Sequence, residues 1–160
     1  HAARKDDLHC VMHTHEPISQ TMCSIEEKFV PMVQEACQLY ERVGYHEFEG
    51  IVLDSSEKER MIKALGKKNH TLVLKNHGLL TAGPSAIWAF VRHQIFIRNS
   101  DIQLRALSSG AKLSQIPIAV IEHTREQFEG GSAQGGAVVR HPEWPAFWRL
   151  LDKLDPDWKT

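Results

Sequence analysis

Thr71-Leu-Val-Leu-Lys75 is an unbroken apolar β-strand signal, and within ten residues it is followed by Pro84 and a helix predicted over about residues 84–108. That succession limits the fold more than any other stretch. Proline suits the first turn of a helix, where its missing N–H costs nothing. Ile87, Phe90, Val91, Phe96 and Ile102 then recur near helical spacing, so the helix has an apolar side to pack on a sheet. The strand ends in Asn76-His-Gly-Leu-Leu-Thr-Ala-Gly83, to which the pattern assigns no further strand. Strand and helix signals alternate elsewhere too, and the expected class is α/β, a sheet covered by helices.

The opening residues 1–7 read as the end of a helix running into a turn. Leu8 to His15 alternates as a strand that Pro17 closes, since proline cannot donate to a ladder. Ile18 to Lys28 fits a short helix with Met22 and Ile25 inward, and residues 29–33 read as an extended sheet edge. A second β-like region spans Val43 to Leu53, broken at Gly50. Ser56 and Glu59 match a capping box, and the helix they open runs through Met61, Ile62 and Leu65 to Gly66. Beyond Ile118 the pattern weakens. The expected division is a domain over residues 1–127, a glycine-rich loop over 128–141 and an amphipathic helix with tail over 142–160, where Trp144, Trp148 and Leu151 follow i, i+4, i+7 spacing.

A chain of 160 residues is enough for one core. Its 19 basic and 20 acidic residues nearly balance, with no Lys/Arg block, so neither a nucleic-acid nor a membrane partner is expected. No apolar run approaches the roughly 20 residues of a membrane-spanning helix, and the N-terminus lacks a signal-peptide pattern, so the expected location is cytoplasmic. Cys10, Cys23 and Cys37 form no CxxC pair, which argues for reduced, buried thiols rather than a disulfide framework or thiolate zinc site.

The candidate chemistry lies in the histidines. In Cys10-Val-Met-His-Thr-His-Glu-Pro17, strand alternation sends Val11, His13 and His15 to one face and Met12 and Thr14 to the other. An HxH pair alone is weak evidence for a metal, because exposed histidines that merely hydrogen-bond are common. A third histidine, His77, ends the second clear strand, and functional crevices of α/β sheets lie beyond strand ends. Converging, the three would give the three-nitrogen set with an open position typical of catalytic zinc. The glycine after His77 would let the backbone turn away, while Asn76 either orients His77 or caps a turn. For His1, His9, His70, His93, His123 and His141 no convergent partner is found, and solvated or hydrogen-bonded roles are expected.

The stretches HAARKDDLHCVMHTHEP, GYHEFEGIVLD, LVLKNHGLLTAGPSAIWAF and WPAFWRLLDKLDPDW together resemble the class II aldolase/adducin family, particularly its adducin-like branch. The resemblance implies a three-layer α/β/α domain with a largely antiparallel or mixed sheet, present here without its N-terminal part, and assembly as a homotetramer. It implies that His13, His15 and His77 bind a divalent metal, commonly zinc. The substrate would be a small hydroxy-carbonyl or sugar-phosphate-type molecule, processed by a C–C lyase or epimerase through a metal-stabilised enediolate. The family's acid/base glutamate and phosphate-cradling residues would fall upstream of His1. Glu16 is the candidate substitute, with a surface or capping role as its alternative. Tyr40, Tyr45 and His46 lie where family enzymes reach a neighbouring subunit, making Tyr45 a candidate proton donor, with packing as the alternative. The rival function is a non-catalytic adducin-like module that assembles or binds cytoskeletal partners such as actin.

Overall fold

The computed structural model describes residues 2–51, 56–133 and 144–159. Four strands, β1 (Cys10–Thr14), β2 (Val43–His46), β3 (Thr71–Leu74) and β4 (Gly78–Gly83), form one sheet in the order β1-β4-β3-β2. The β2–β3 pair is parallel and the other two are antiparallel, so the sheet is mixed. β4 is central, yet the sequence pattern gave it no strand. Its residues are buried on both faces save Leu80, so no alternation marks it. The reversal that creates it is also local: Asn76 adopts φ 55°, a left-handed conformation that asparagine tolerates, and His77 N–H donates to Leu74 C=O at 3.1 Å.

One face of the sheet carries α1 (Pro17–Cys23) and α3 (Ala86–Ser108); the other carries α2 (Ser56–Leu65). Three layers result. On the α3 face Met22, Cys23, Leu39, Val73, Leu79 and Phe96 form the core, with Phe29 stacked on Phe96 at 5.0 Å between ring centres. Burying side chains of this size stabilises by about 1.5–3 kcal/mol each. On the α2 face, Met61, Ile62 and Leu65 face Val11, Leu72, Leu80 and Ala82 across an apolar cavity of about 240 Å³. α4 (Ile118–Ala133) packs on a 3₁₀ segment, Gln34–Leu39, and α5 (Trp144–Leu154) sets Trp144 and Phe147 edge-on to Phe90. Trp148 is half exposed.

Several boundaries differ from expectation. Residues 29–33 join no strand; their backbone is instead bonded by two buried amides of α3. Asn99 accepts from Met32 N–H and donates to Val30 C=O, both at 2.8 Å, while Gln103 accepts from Val30 N–H at 2.9 Å and donates to Lys28 C=O at 2.8 Å. Side-chain amides thus replace the ladder that Pro31 would interrupt. The helix α1 ends at Cys23, well short of residue 28, and β2 ends at His46 rather than Leu53. Pro84 precedes α3, whose N-cap is Ser85. Ser56 is the first helical residue of α2, not its cap; the cap position lies outside the described residues, and the Ser56 hydroxyl accepts from Arg60. Gly66 does take the left-handed conformation, φ 61°, just past α2. Residues 128–133, expected as loop, continue α4, while 134–141 fall outside the described residues.

All three cysteines are free; Cys23 and Cys37 are buried and Cys10 is half-buried. No helix among the described residues is long and apolar enough to cross a membrane.

Candidate metal centre

β1 ends with its alternation intact, so His13 and His15 leave the sheet on the α2 side. The β3–β4 turn delivers His77 to the same place. The three rings sit 4.8, 5.0 and 4.8 Å apart between centres, and one nitrogen from each lies within 4.8 Å of the others. His13 Nε2 and His15 Nε2 are 3.0 Å apart. Two nitrogens on one tetrahedral zinc, each about 2.0–2.1 Å from it, are about 3.3 Å apart. The pair therefore already stands near the edge of such a polyhedron.

The surroundings fix which nitrogens face the centre. His13 Nδ1–H donates to Leu79 C=O at 3.0 Å, leaving Nε2 with its lone pair, the arrangement that orients ligating histidines. The turn is pinned by Asn76 N–H to Cys23 C=O at 2.8 Å and by the Gln20 side-chain amide donating to His77 C=O at 3.1 Å. Burial, and then the neighbouring imidazoles of His13 and His15, hold His77 below the usual histidine range and so favour the neutral, ligating form. Asn76 accordingly serves the turn through its backbone.

Gly78 makes the approach of the two strands possible. A Cβ built there would lie 2.6 Å from Thr14 O, 2.7 Å from His15 Cδ2 and 3.1 Å from His13 Cε1. The glycine is needed because imidazoles and a backbone carbonyl crowd it; the positive φ belongs to Asn76. On the opposite face Thr14 anchors β1. Thr81 Oγ1 donates to Ala89 C=O at 2.8 Å, so it accepts from His93 Nδ1–H at 3.4 Å, and His93 Nε2 accepts from the Thr14 hydroxyl at 2.7 Å. His93 is thus a buried, neutral strut. His70 is buried as well, with Nδ1 3.3 Å from Thr71 Oγ1.

Two catalytic candidates have their polar groups engaged elsewhere. Glu16 caps α1, its carboxylate accepting from Ser19 N–H at 2.9 Å. Tyr45 packs against the core on the α3 face, across the sheet, and its hydroxyl accepts from Phe29 N–H at 2.8 Å; burial raises its pKa. Tyr40 follows the 3₁₀ segment as its C-cap residue.

What sequence reasoning missed is a carboxylate–imidazole pair beside His77. His46 is 7% exposed, and its Nε2–H donates to Glu57 Oε1 at 3.3 Å, with Glu49 Oε1 at 3.8 Å. His46, Glu57, Glu49, Leu74, Met61 and His77 line a cleft of about 30 Å³. Alternation in Val43-Gly-Tyr-His46 does place Tyr45 and His46 on opposite faces. That His46 pairs with Leu74, three residues before His77, is information of register.

Residues 1–104 match the model of the class II aldolase and adducin N-terminal domain. The chain is 31% identical over 155 residues to a Pseudomonas aeruginosa protein named for the class 2 aldolases, covering 97% of this chain and 60% of that protein. It is 30% identical to alpha-adducin of Rattus norvegicus, over 95% of this chain and 22% of the adducin. Its fold superposes on the crystal structure of an aldolase II superfamily protein from Pseudomonas syringae with a TM-score of 0.85 at 34% identity, covering 100% of this chain and 62% of that one. The chain belongs to the class II aldolase and adducin family. It spans about 60% of the length of the bacterial relative.

Proposed function

We propose that this chain is a divalent-cation-dependent domain of class II aldolase type, acting on a small hydroxy-carbonyl or sugar-phosphate-type substrate as a C–C lyase or epimerase. The observation that carries this reading is the convergence of His13, His15 and His77 from two strand ends, with nitrogens within 4.8 Å of one another. Three imidazole nitrogens suit zinc and leave a coordination position for substrate. A divalent cation held there supplies Lewis acidity toward the substrate's carbonyl and hydroxyl oxygens and so stabilises an enediolate's charge. The chain's own contributions are orientation and room. Leu79 C=O sets the His13 tautomer, the buried His93 strut fixes the strand between the two ligands, and Gly78 keeps Cβ atoms away from the rings. A homotetramer in the cytoplasm goes with this reading.

The likeness to alpha-adducin supports a second reading, a non-catalytic module of the same fold that assembles or binds cytoskeletal partners. Elemental mass spectrometry on the purified protein, with intact mass recorded on the same sample, separates the two. The enzymatic reading predicts one divalent ion per chain, lost in His77→Ala with the fold retained. A folded protein that takes up no zinc even when it is supplied refutes it and favours the assembly module.

A further inference from the structure

Resting on the reading just given, we infer that His93 is a positioning residue for the metal ligands, setting cation affinity from the opposite face of the sheet through the Thr14 hydroxyl. Thr14 is the last residue of β1 and closes its ladder against Leu79, so His15 stands one residue beyond the last paired position. The ladder holds His13 and leaves His15 to whatever fixes the Thr14 peptide. Two contacts grip that peptide from opposite sides. On the ligand side Gly78 comes so close that a Cβ there would lie 2.6 Å from Thr14 O. On the α3 side the Thr14 hydroxyl donates to His93 Nε2 at 2.7 Å.

The far end of this chain of bonds is anchored in the helix. Thr81 donates to Ala89 C=O at 2.8 Å and His93 Nδ1–H to Thr81 at 3.4 Å, so Nε2 keeps the lone pair that the Thr14 hydroxyl needs. Burial favours the neutral ring and so keeps that lone pair available. His93 and Thr81 are both buried, and a ring packed between helix and sheet has no room to follow a moving strand, so the strand end follows the ring. Both ligands of β1 depend on it. Leu79, the ladder partner of Thr14, also accepts His13 Nδ1–H through its carbonyl at 3.0 Å, so a Thr14 that slides against β4 disturbs His13 as well as His15. A strut with a structural role alone would cost stability and leave the folded protein's cation affinity unchanged; a positioning residue moves affinity and ligand geometry too.

The test measures zinc affinity by titration against a chromophoric chelator and ligand geometry by the visible absorption of bound cobalt(II), with circular dichroism checking the fold. His93→Leu and Thr14→Val should each weaken zinc binding about tenfold and lower the intensity of the cobalt bands. Both changes remove one and the same bond, so the double variant should bind within about threefold of the weaker single one. His93→Gln, whose side-chain oxygen can accept from Thr14, should bind zinc within about threefold of wild type. A folded His93→Leu with wild-type zinc affinity and cobalt spectrum overturns the inference, and so do losses that multiply in the double variant. If His93→Leu fails to fold, Thr14→Val and His93→Gln carry the test: wild-type affinity in the first, or about a tenfold loss in the second, overturns the inference. A wild-type protein that binds neither zinc nor cobalt overturns instead the reading on which the inference rests.

Discussion

Gly78→Ala is the substitution that most directly tests the packing of the three-histidine cluster. The added methyl would sit 2.6 Å from Thr14 O and 2.7 Å from His15 Cδ2, each nearly 1 Å inside the distance at which such atoms attract. Thr14 O belongs to backbone and cannot rotate away, so the end of β1 must yield. Overpacking of this kind costs about 1–3 kcal/mol. The same displacement carries His15 away from His13, whose Nε2 atoms are now 3.0 Å apart, whereas metal sites tolerate only about 0.2 Å in ligand distance. Zinc or cobalt affinity should therefore fall at least tenfold, equivalent to about 1.4 kcal/mol. Isothermal titration with zinc, alongside urea denaturation of the metal-free protein, reads the two effects separately. A variant that binds zinc as tightly as wild type and unfolds at the same urea concentration would refute the claim that the rings close on this glycine.

Asn99→Ala removes both bonds that hold Met32 N–H and Val30 C=O, and should lower unfolding free energy by about 2–4 kcal/mol, measured by urea denaturation; a loss under 0.5 kcal/mol would mean that the amide is not the support of residues 29–33. Gly130, in α4, has nothing within 4 Å of an added Cβ, so Gly130→Ala should raise stability by about 0.5–1 kcal/mol, and a lowered melting temperature would contradict a continuous helix there. Burial holds His70 and His93 below the usual histidine range. Above about pH 7.5 both are neutral folded or unfolded and contribute nothing to pH dependence. As pH falls through about 6.5 the unfolded chain binds protons that these two sites resist, so stability drops by up to about 1.4 kcal/mol per pH unit for each. Denaturation midpoints of metal-free protein that stay level between pH 7.5 and 5.5 would show that these rings take up protons as readily when folded.

The sequence by itself determined the α/β class, the strand that carries His13 and stops just before His15, the strand before His77, and the left-handed glycine closing α2. These are written in local patterns: a period of two, a period near 3.6, and residues with restricted backbone preferences. The tertiary structure decided the rest. β4 is buried on both faces, so no period marks it, and the residue that turns the chain into it is Asn76, whose backbone φ of 55° no periodicity reports. Asn99 and Gln103 look like polar interruptions of a helix until the unladdered backbone of residues 28–32 is laid against them. His46 and Glu57 are eleven residues apart and meet because β2 pairs in parallel with β3 in one particular register while α2 crosses the same face. Local sequence fixes which way a side chain points from its own strand. Which side chains from other strands share that face depends on long-range pairing, and the three-histidine cluster is made of just such neighbours.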